Sequence, residues 1–106
     1  MEKKKIYISG PISGCDMRER KEAFEKAKLI LDAIGYKAVN PLENGLPCNA
    51  TTHEHMRRDI EILMGCDEIY MMSKWTHSAG CKLEFDIATA IGLTVRFEQA
   101  LSVKFE

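Results

Sequence analysis

Short apolar runs recur along the chain, and between them apolar residues repeat at helical spacing. Lys5-Ile6-Tyr7-Ile8-Ser9 predicts a first strand buried on both faces, and Gly10-Pro11-Ile12-Ser13-Gly14 breaks it with turn residues. Asp16 followed by Glu19 has the spacing of a capping box. The helix it opens carries Ala23, Ala27, Ile30, Leu31 and Ile34, an i, i+4, i+7, i+8, i+11 row expected to face the core. Gly35 suits a left-handed helix end. Tyr36 to Val39 reads as a second strand, stopped by Asn40-Pro41. After a loop over 42–50, Thr51 and Glu54 form another capping box. The second helix has Met56, Ile60, Leu63 and Met64 on one face and ends at Gly65. Glu68 to Met72 is the third strand, and Ser73 to Ala79 a polar loop. The third helix is expected to turn Leu83, Ile87, Ala90 and Ile91 inward and to close at Gly92. Leu93 to Phe97 is the fourth strand, and Glu98 to Glu106 carries no assignable pattern.

This order, β-α-β-α-β-α-β with short connections, implies a parallel sheet with helices on both faces and right-handed crossovers. The fold class is α/β: a three-layer α-β-α sandwich on a four- to five-stranded parallel sheet, flavodoxin- or Rossmann-like. Its length of 106 residues predicts one domain over 1–106, with no repeat, linker or low-complexity segment.

Composition narrows the partners. A net charge of −1 gives no long-range pull toward nucleic acid or acidic membranes, and neither is expected as a partner. The run Lys3-Lys4-Lys5 reads as a solvated terminus. No stretch approaches the ~18 apolar residues of a membrane span, and no signal peptide is evident, so a cytoplasmic location is expected. Cys15, Cys48, Cys66 and Cys81 form no C-x-x-C pair and are expected to stay reduced. His53, His55 and Cys48 match no zinc spacing, so no metal is expected.

In open α/β sheets, ligands bind outside the carboxyl ends of the strands. Three unusual segments fall there: Gly10 to Gly14, Asn40-Pro41, and Ser73 to Gly80. The first brings backbone N–H groups and the Ser13 hydroxyl toward a phosphate or sugar; it is equally a tight strand-to-helix turn. Ser78-Ala79-Gly80 offers similar chemistry at the third helix, where Ser78 also suits an N-cap. Trp75 suits stacking on a base or plain packing, and His77 reads as a solvated loop residue. Glu84 lies about 100° around the helix from Leu83, on the flank of the expected buried face. Asp59 flanks the second helix's apolar face, between Met56 and Leu63. Two acids at apolar margins on neighbouring helices suit acid/base or nucleophilic work.

Tyr7, Gly10, Asp59, Asp67, Ser78, Gly80 and Glu84 together resemble the nucleoside 2-deoxyribosyltransferase-like superfamily, which includes the 2′-deoxynucleoside 5′-phosphate N-hydrolases. The motifs are Ile6-Tyr7-Ile8-Ser9-Gly10-Pro11, Arg58 to Asp67, and Ser78-Ala79-Gly80-Cys81-Lys82-Leu83-Glu84. The likeness is greatest to a phage and bacterial subgroup of unassigned function, with the pattern Tyr-Ile-x-Gly-Pro, Asn-Pro and Trp-x-x-Ser-x-Gly-x-x-x-Glu. The resemblance implies that Glu84 is a nucleophile at C1′ of a sugar, that Tyr7 orients it, and that Asp59 is the acid near the leaving base or the sugar. It implies a phosphate contact for Ser78, and hence a nucleotide as the preferred ligand. Gly10, Pro11, Ser13, Asn40, Trp75, Ser78 and Gly80 are the candidate substrate-binding residues.

The function expected is cleavage or transfer at the N-glycosidic bond of a nucleotide or nucleoside, with no metal or organic cofactor. The alternatives are a module that senses a nucleotide without catalysis, and hydrolysis of NAD or another nucleotide-sugar. A second stripe on the third helix, Cys81, Phe85, Ala88 and Gly92, lies opposite the expected core face. It predicts a homodimer packed partly through Phe85.

Overall fold

The computed structural model describes residues 2–12, 15–47 and 49–98. Ser13 and Gly14 of the first loop, Cys48, and the tail from residue 99 lie outside the described residues.

Strand β1 (Lys5–Ser9) leads into helix α1 (Met17–Ala33), β2 (Lys37–Val39), α2 (Thr52–Leu63), β3 (Glu68–Met71), α3 (Ala79–Ala90) and β4 (Thr94–Phe97). Two 3-10 turns, Pro41–Glu43 and Trp75–His77, sit in the loops after β2 and β3. The sheet is four-stranded and parallel, in the order β2-β1-β3-β4. Tyr7 pairs with Val39 and Ile69, and Ser9 with Met71, so β1 and β3 end level with each other. The connection from β1 runs one way along the sheet and the later two run the other way. The topological switch point therefore lies between β1 and β3.

Each face of the sheet has its own core. Ile6, Ile8, Tyr70 and Met72 pack under α1 through Phe24, Ala27 and Leu31. Tyr7, Ile69 and Met71 alternate onto the other face, where Leu63 of α2 and Cys81 and Ala88 of α3 cover them. Both central strands are apolar at almost every position because both of their faces are covered.

The helices form where the pattern places them, but two of them are rotated. In α1 the buried line is Phe24, Ala27 and Leu31, while Ile30 and Ile34 are 44% and 60% exposed. The expected row shares Ala27 and Leu31 with the observed one. The sheet takes the side that buries the Phe24 ring, the largest apolar group available. Asp16 caps the helix by accepting from Arg18 N at 2.9 Å, but the Glu19 carboxylate turns to Arg20. In α2 the capping box is complete: Thr51 Oγ1 accepts from Glu54 N, and Glu54 Oε1 accepts from Thr51 N.

The two stripes of α3 exchange roles. Cys81, Glu84 and Ala88 face the sheet, and Leu83 and Ile91 are each 43% exposed. Small Cys81 and Ala88 let the helix lie close on the strands. Phe85 stacks on Trp75 of its own chain, ring centroids 4.8 Å apart, and meets Phe97 at 6.5 Å. Phe85 is thus packed within its own chain and half-buried. Among the described residues, Cys66 and Cys81 are buried thiols without a disulfide, and no helix is long and apolar enough to cross a membrane.

The rotation of α1 is testable by truncation. Phe24→Ala should cost about 3–5 kcal/mol, as for a buried aromatic. Ile34→Ala should stay within about 0.5 kcal/mol of wild type, as for an exposed position. Denaturant unfolding of both variants measures the contrast, and equal losses would restore the face read from the sequence.

Candidate active site

Tyr7 and Ser9 are two residues apart on β1, so both side chains point to the α2/α3 face. Glu84, in the second turn of α3, lies over them. The Tyr7 hydroxyl donates to Glu84 Oε2 at 2.8 Å, and the Ser9 hydroxyl donates to Oε1 at 2.6 Å. Each carboxylate oxygen thereby takes one hydrogen bond and keeps further acceptor capacity. Glu84 is not on a flank: it occupies the centre of the buried face, 6% exposed, between Cys81 and Ala88.

Asp59 also takes a core position, 9% exposed, four residues before Leu63 on the inward line of α2. Asn44, in the loop before α2, donates from Nδ2 to Asp59 Oδ1 at 2.9 Å, and the same nitrogen lies 3.1 Å from His55 Nδ1. The Asn44 side chain is itself set by accepting from Leu46 N at 3.0 Å, and its carbonyl accepts from Arg58 Nε. Asp59 is therefore held by a loop-to-helix network.

Burial dominates the electrostatics. Desolvation pushes the Glu84 carboxyl up from an ordinary 4.5 to about 7; the Ser9 and Tyr7 hydrogen bonds oppose this and the Asp59 charge adds to it. Desolvation also raises Asp59, against the hydrogen bond from Asn44. The Tyr7 phenol stays protonated, raised first by burial and then by the charges of Glu84 and Asp59. The site thus holds two acids raised by burial, and the Asp59 charge further disfavours ionisation of Glu84, which is poised near neutrality. That is the condition for one carboxyl to donate a proton while another acts as a base or nucleophile.

The structure brings Tyr7, Asp59 and Glu84 together, as expected. The other candidates are placed as follows. Ser78 caps α3 by accepting from Cys81 N at 3.2 Å. Gly80 lies against α2: a Cβ there would fall 2.8 Å from Met56 Cε. Gly10 is buried against the α1 core, where a Cβ would come 2.5 Å from Met72 Sδ and 3.1 Å from Phe24 Cζ. Pro11 follows it, half-buried. Asn40 is buried and accepts from Leu42 N at 2.9 Å, capping the 3-10 turn after β2. Trp75 packs on Phe85 and Phe97. Ser13 lies outside the described residues. Each described candidate has a local structural role at the carboxyl edge, which is compatible with contact to a ligand.

Ser9, Asn44 and His55 were not among the expected site residues. Strand alternation alone places Ser9 beside Tyr7, so its signal was present. Asn44 carries no such signal, because its partner is fifteen positions away. A surface hollow of about 420 Å³ lies at the opposite, amino edge, around Lys4, Tyr36, Glu68 and Arg96, and another of about 250 Å³ lies along α2. Neither includes Glu84. Among the described residues, no group of three or more His, Cys, Asp or Glu is placed to hold a metal ion.

The sequence matches a family described as a domain of unknown function, DUF4406, over residues 4–97. The chain belongs to the DUF4406 family. No curated protein matches it. Among solved structures, this DUF4406 domain is similar to the Clostridium botulinum CMP N-glycosidase BcmB, with a TM-score of 0.62 and 18% identity, covering 89% of this chain and 67% of that one. At that identity the likeness establishes the fold, which is the parallel α/β sandwich expected from the pattern.

The raised Glu84 carboxyl has a consequence for stability. A carboxyl whose folded pKa lies above its unfolded value keeps its proton longer in the native state. Between about pH 4.5 and 7 the unfolded chain releases this proton first, so the Glu84 contribution falls as pH rises. Alone, Glu84 should cost roughly 3 kcal/mol above that window. Glu84→Gln removes the titration at nearly constant shape. Its melting temperature should match wild type at acidic pH and exceed it at about pH 8. A pH-independent difference between the two melting curves would mean that Glu84 titrates as an ordinary glutamate.

Proposed function

We propose that this domain cleaves, or transfers across, the N-glycosidic bond of a nucleotide or nucleoside, with Glu84 as the nucleophile. The observation that carries this reading is the Glu84 carboxylate held by Tyr7 at 2.8 Å and Ser9 at 2.6 Å beside a second buried acid, Asp59. The fold likeness to a CMP N-glycosidase supports it, as does the motif resemblance to the 2-deoxyribosyltransferase-like superfamily.

In this reading a Glu84 oxygen attacks C1′ as the C1′–N bond breaks, and the bond pair leaves with the base. Asp59, in its acid form, supplies the proton the base needs. The oxocarbenium-like state is stabilised by the adjacent carboxylate and collapses to a glycosyl ester. Water, or an acceptor base, then attacks C1′ with Asp59 now accepting a proton, and the C1′–Oε bond breaks to restore the carboxylate. Tyr7 and Ser9 serve both steps. They fix the attacking oxygens, and they take up the charge that returns to the carboxylate when the ester breaks.

The opposite reading is a domain that binds a nucleotide without turning it over. The 6% exposure of Glu84 favours it. A panel of nucleosides and nucleotides, assayed chromatographically for released base, separates the two. Glu84→Gln should lower release on the order of 10⁴-fold or more. Tyr7→Phe and Ser9→Ala should each lower it roughly tenfold to a hundredfold. Because one carboxyl must be ionised and the other protonated, kcat/KM should be bell-shaped in pH, with one limb set by Glu84 near 7. Full activity in Glu84→Gln would end the nucleophile assignment. A wild type that binds nucleotides and releases no base would make the sensing reading the correct one.

A further inference from the structure

Arg20, in the first turns of α1, was not among the expected site residues, and its surroundings are unusual for an arginine. Its side chain is only 13% exposed. The guanidinium lies over the Phe24 ring, 5.5 Å from the centroid. Nη2 is 3.9 Å from Met72 Sδ, a weak acceptor, and Nη1 is 3.4 Å from Oε1 of the exposed neighbour Glu19. Nε is buried and has no hydrogen-bond partner among the described residues. A guanidinium has five N–H donors and no acceptor, and leaving them unmatched in a buried place is costly.

The position of this group is informative. Met72 Sδ and Phe24 Cζ, which border the guanidinium, are also the atoms that a Cβ on Gly10 would strike. Arg20 therefore lies beside Gly10, the residue after Ser9, whose hydroxyl holds Glu84. Arg20 comes from the α1 face and Glu84 from the α3 face, and they flank the carboxyl ends of β1 and β3 at the switch point. The Arg20 charge reaches the Cys81 thiol, three residues before Glu84. Glu84 and Asp59 alone would repel an anionic ligand. A cation on the opposite flank offsets that repulsion, and a planar guanidinium fork matches phosphate oxygens in pairs.

We infer that Arg20 is the anion-recognising residue of the Glu84 site, placed to take an oxyanion such as the phosphate monoester of a nucleotide. This rests on the proposed reading of the site as one that accepts a nucleotide or nucleoside.

The test is calorimetric titration of wild type, Arg20→Met and Arg20→Lys with inorganic phosphate and with matched pairs of nucleosides and their 5′-monophosphates. Arg20→Met should weaken monophosphate binding about 10- to 100-fold more than nucleoside binding, the range for hydrogen bonds to a charged group. Arg20→Lys should recover part of the loss through its charge. Melting temperature distinguishes recognition from folding. The methionine stem keeps the cover over Phe24 and removes the orphaned N–H, so Arg20→Met should melt no lower than wild type. Equal losses for nucleoside and monophosphate would overturn the inference. So would a lower melting temperature without selective loss, or a wild type that binds monophosphates no better than nucleosides. Base release is scored separately. Selective monophosphate binding without base release keeps Arg20 and defeats the hydrolytic reading, and base release without selectivity does the reverse.

Discussion

Placing a carboxylate inside a folded domain is unfavourable unless hydrogen bonds hold it, and here two hydroxyls from one strand do so. The Tyr7 and Ser9 bonds to Glu84 tie α3 to β1 across the sheet, over a sequence separation of 77 and 75 residues. They need strand alternation to put both hydroxyls on one face, and a helix close enough to reach them. Cys81 and Ala88, the small residues on either side of Glu84, supply that closeness. The larger apolar side chains of α3 consequently go elsewhere: Phe85 to the Trp75–Phe97 cluster, Leu83 and Ile91 toward solvent. The bonds do not fully compensate burial, which is why the carboxyl sits near neutrality. A protein selected for stability alone would gain by putting an apolar side chain there. Retaining the acid at that cost is what a reactive group requires.

The pattern of the sequence made the architecture readable in full, because it depends on period and punctuation. Gly10-Pro11, Gly35, Asn40-Pro41 and Gly92 separate the elements, and the apolar runs Ile6-Tyr7-Ile8 and Ile69-Tyr70-Met71 fit central strands buried on both faces. Asp59, Glu84 and Tyr7 were readable as a group through motif likeness, and placement in space agrees. Rotation of the helices was not readable. Helix α1 carries two overlapping apolar rows and α3 carries two on opposite sides, and periodicity alone cannot choose between them. The choice is made by volume: the sheet takes the Phe24 ring from α1 and the small Cys81–Ala88 stripe from α3. That error moved Glu84 from the centre of a buried face to its margin. The same limit hid Asn44, whose bond to Asp59 and contact with His55 exist only once Asn44 lies against α2.

Asp59 and Glu84 raise a question of protons that the arrangement answers by asymmetry. Glu84 is bonded by two hydroxyls, which can donate to a carboxylate or accept from a carboxylic acid. It is therefore supported in both protonation states, as the proposed alternation between carboxylate and ester requires. Asp59 is bonded by an amide N–H, which can only donate, and the Asn44 Nδ2 that provides it also faces His55. The oxygen that Asn44 occupies is accordingly the wrong one to carry a proton, and a proton on Asp59 belongs on the other oxygen. The nearby His55 ring opposes the rise that burial imposes on the Asp59 carboxyl. The two carboxyls thus differ in the kind of partner each has, and that difference suits one to bond-making and the other to proton transfer.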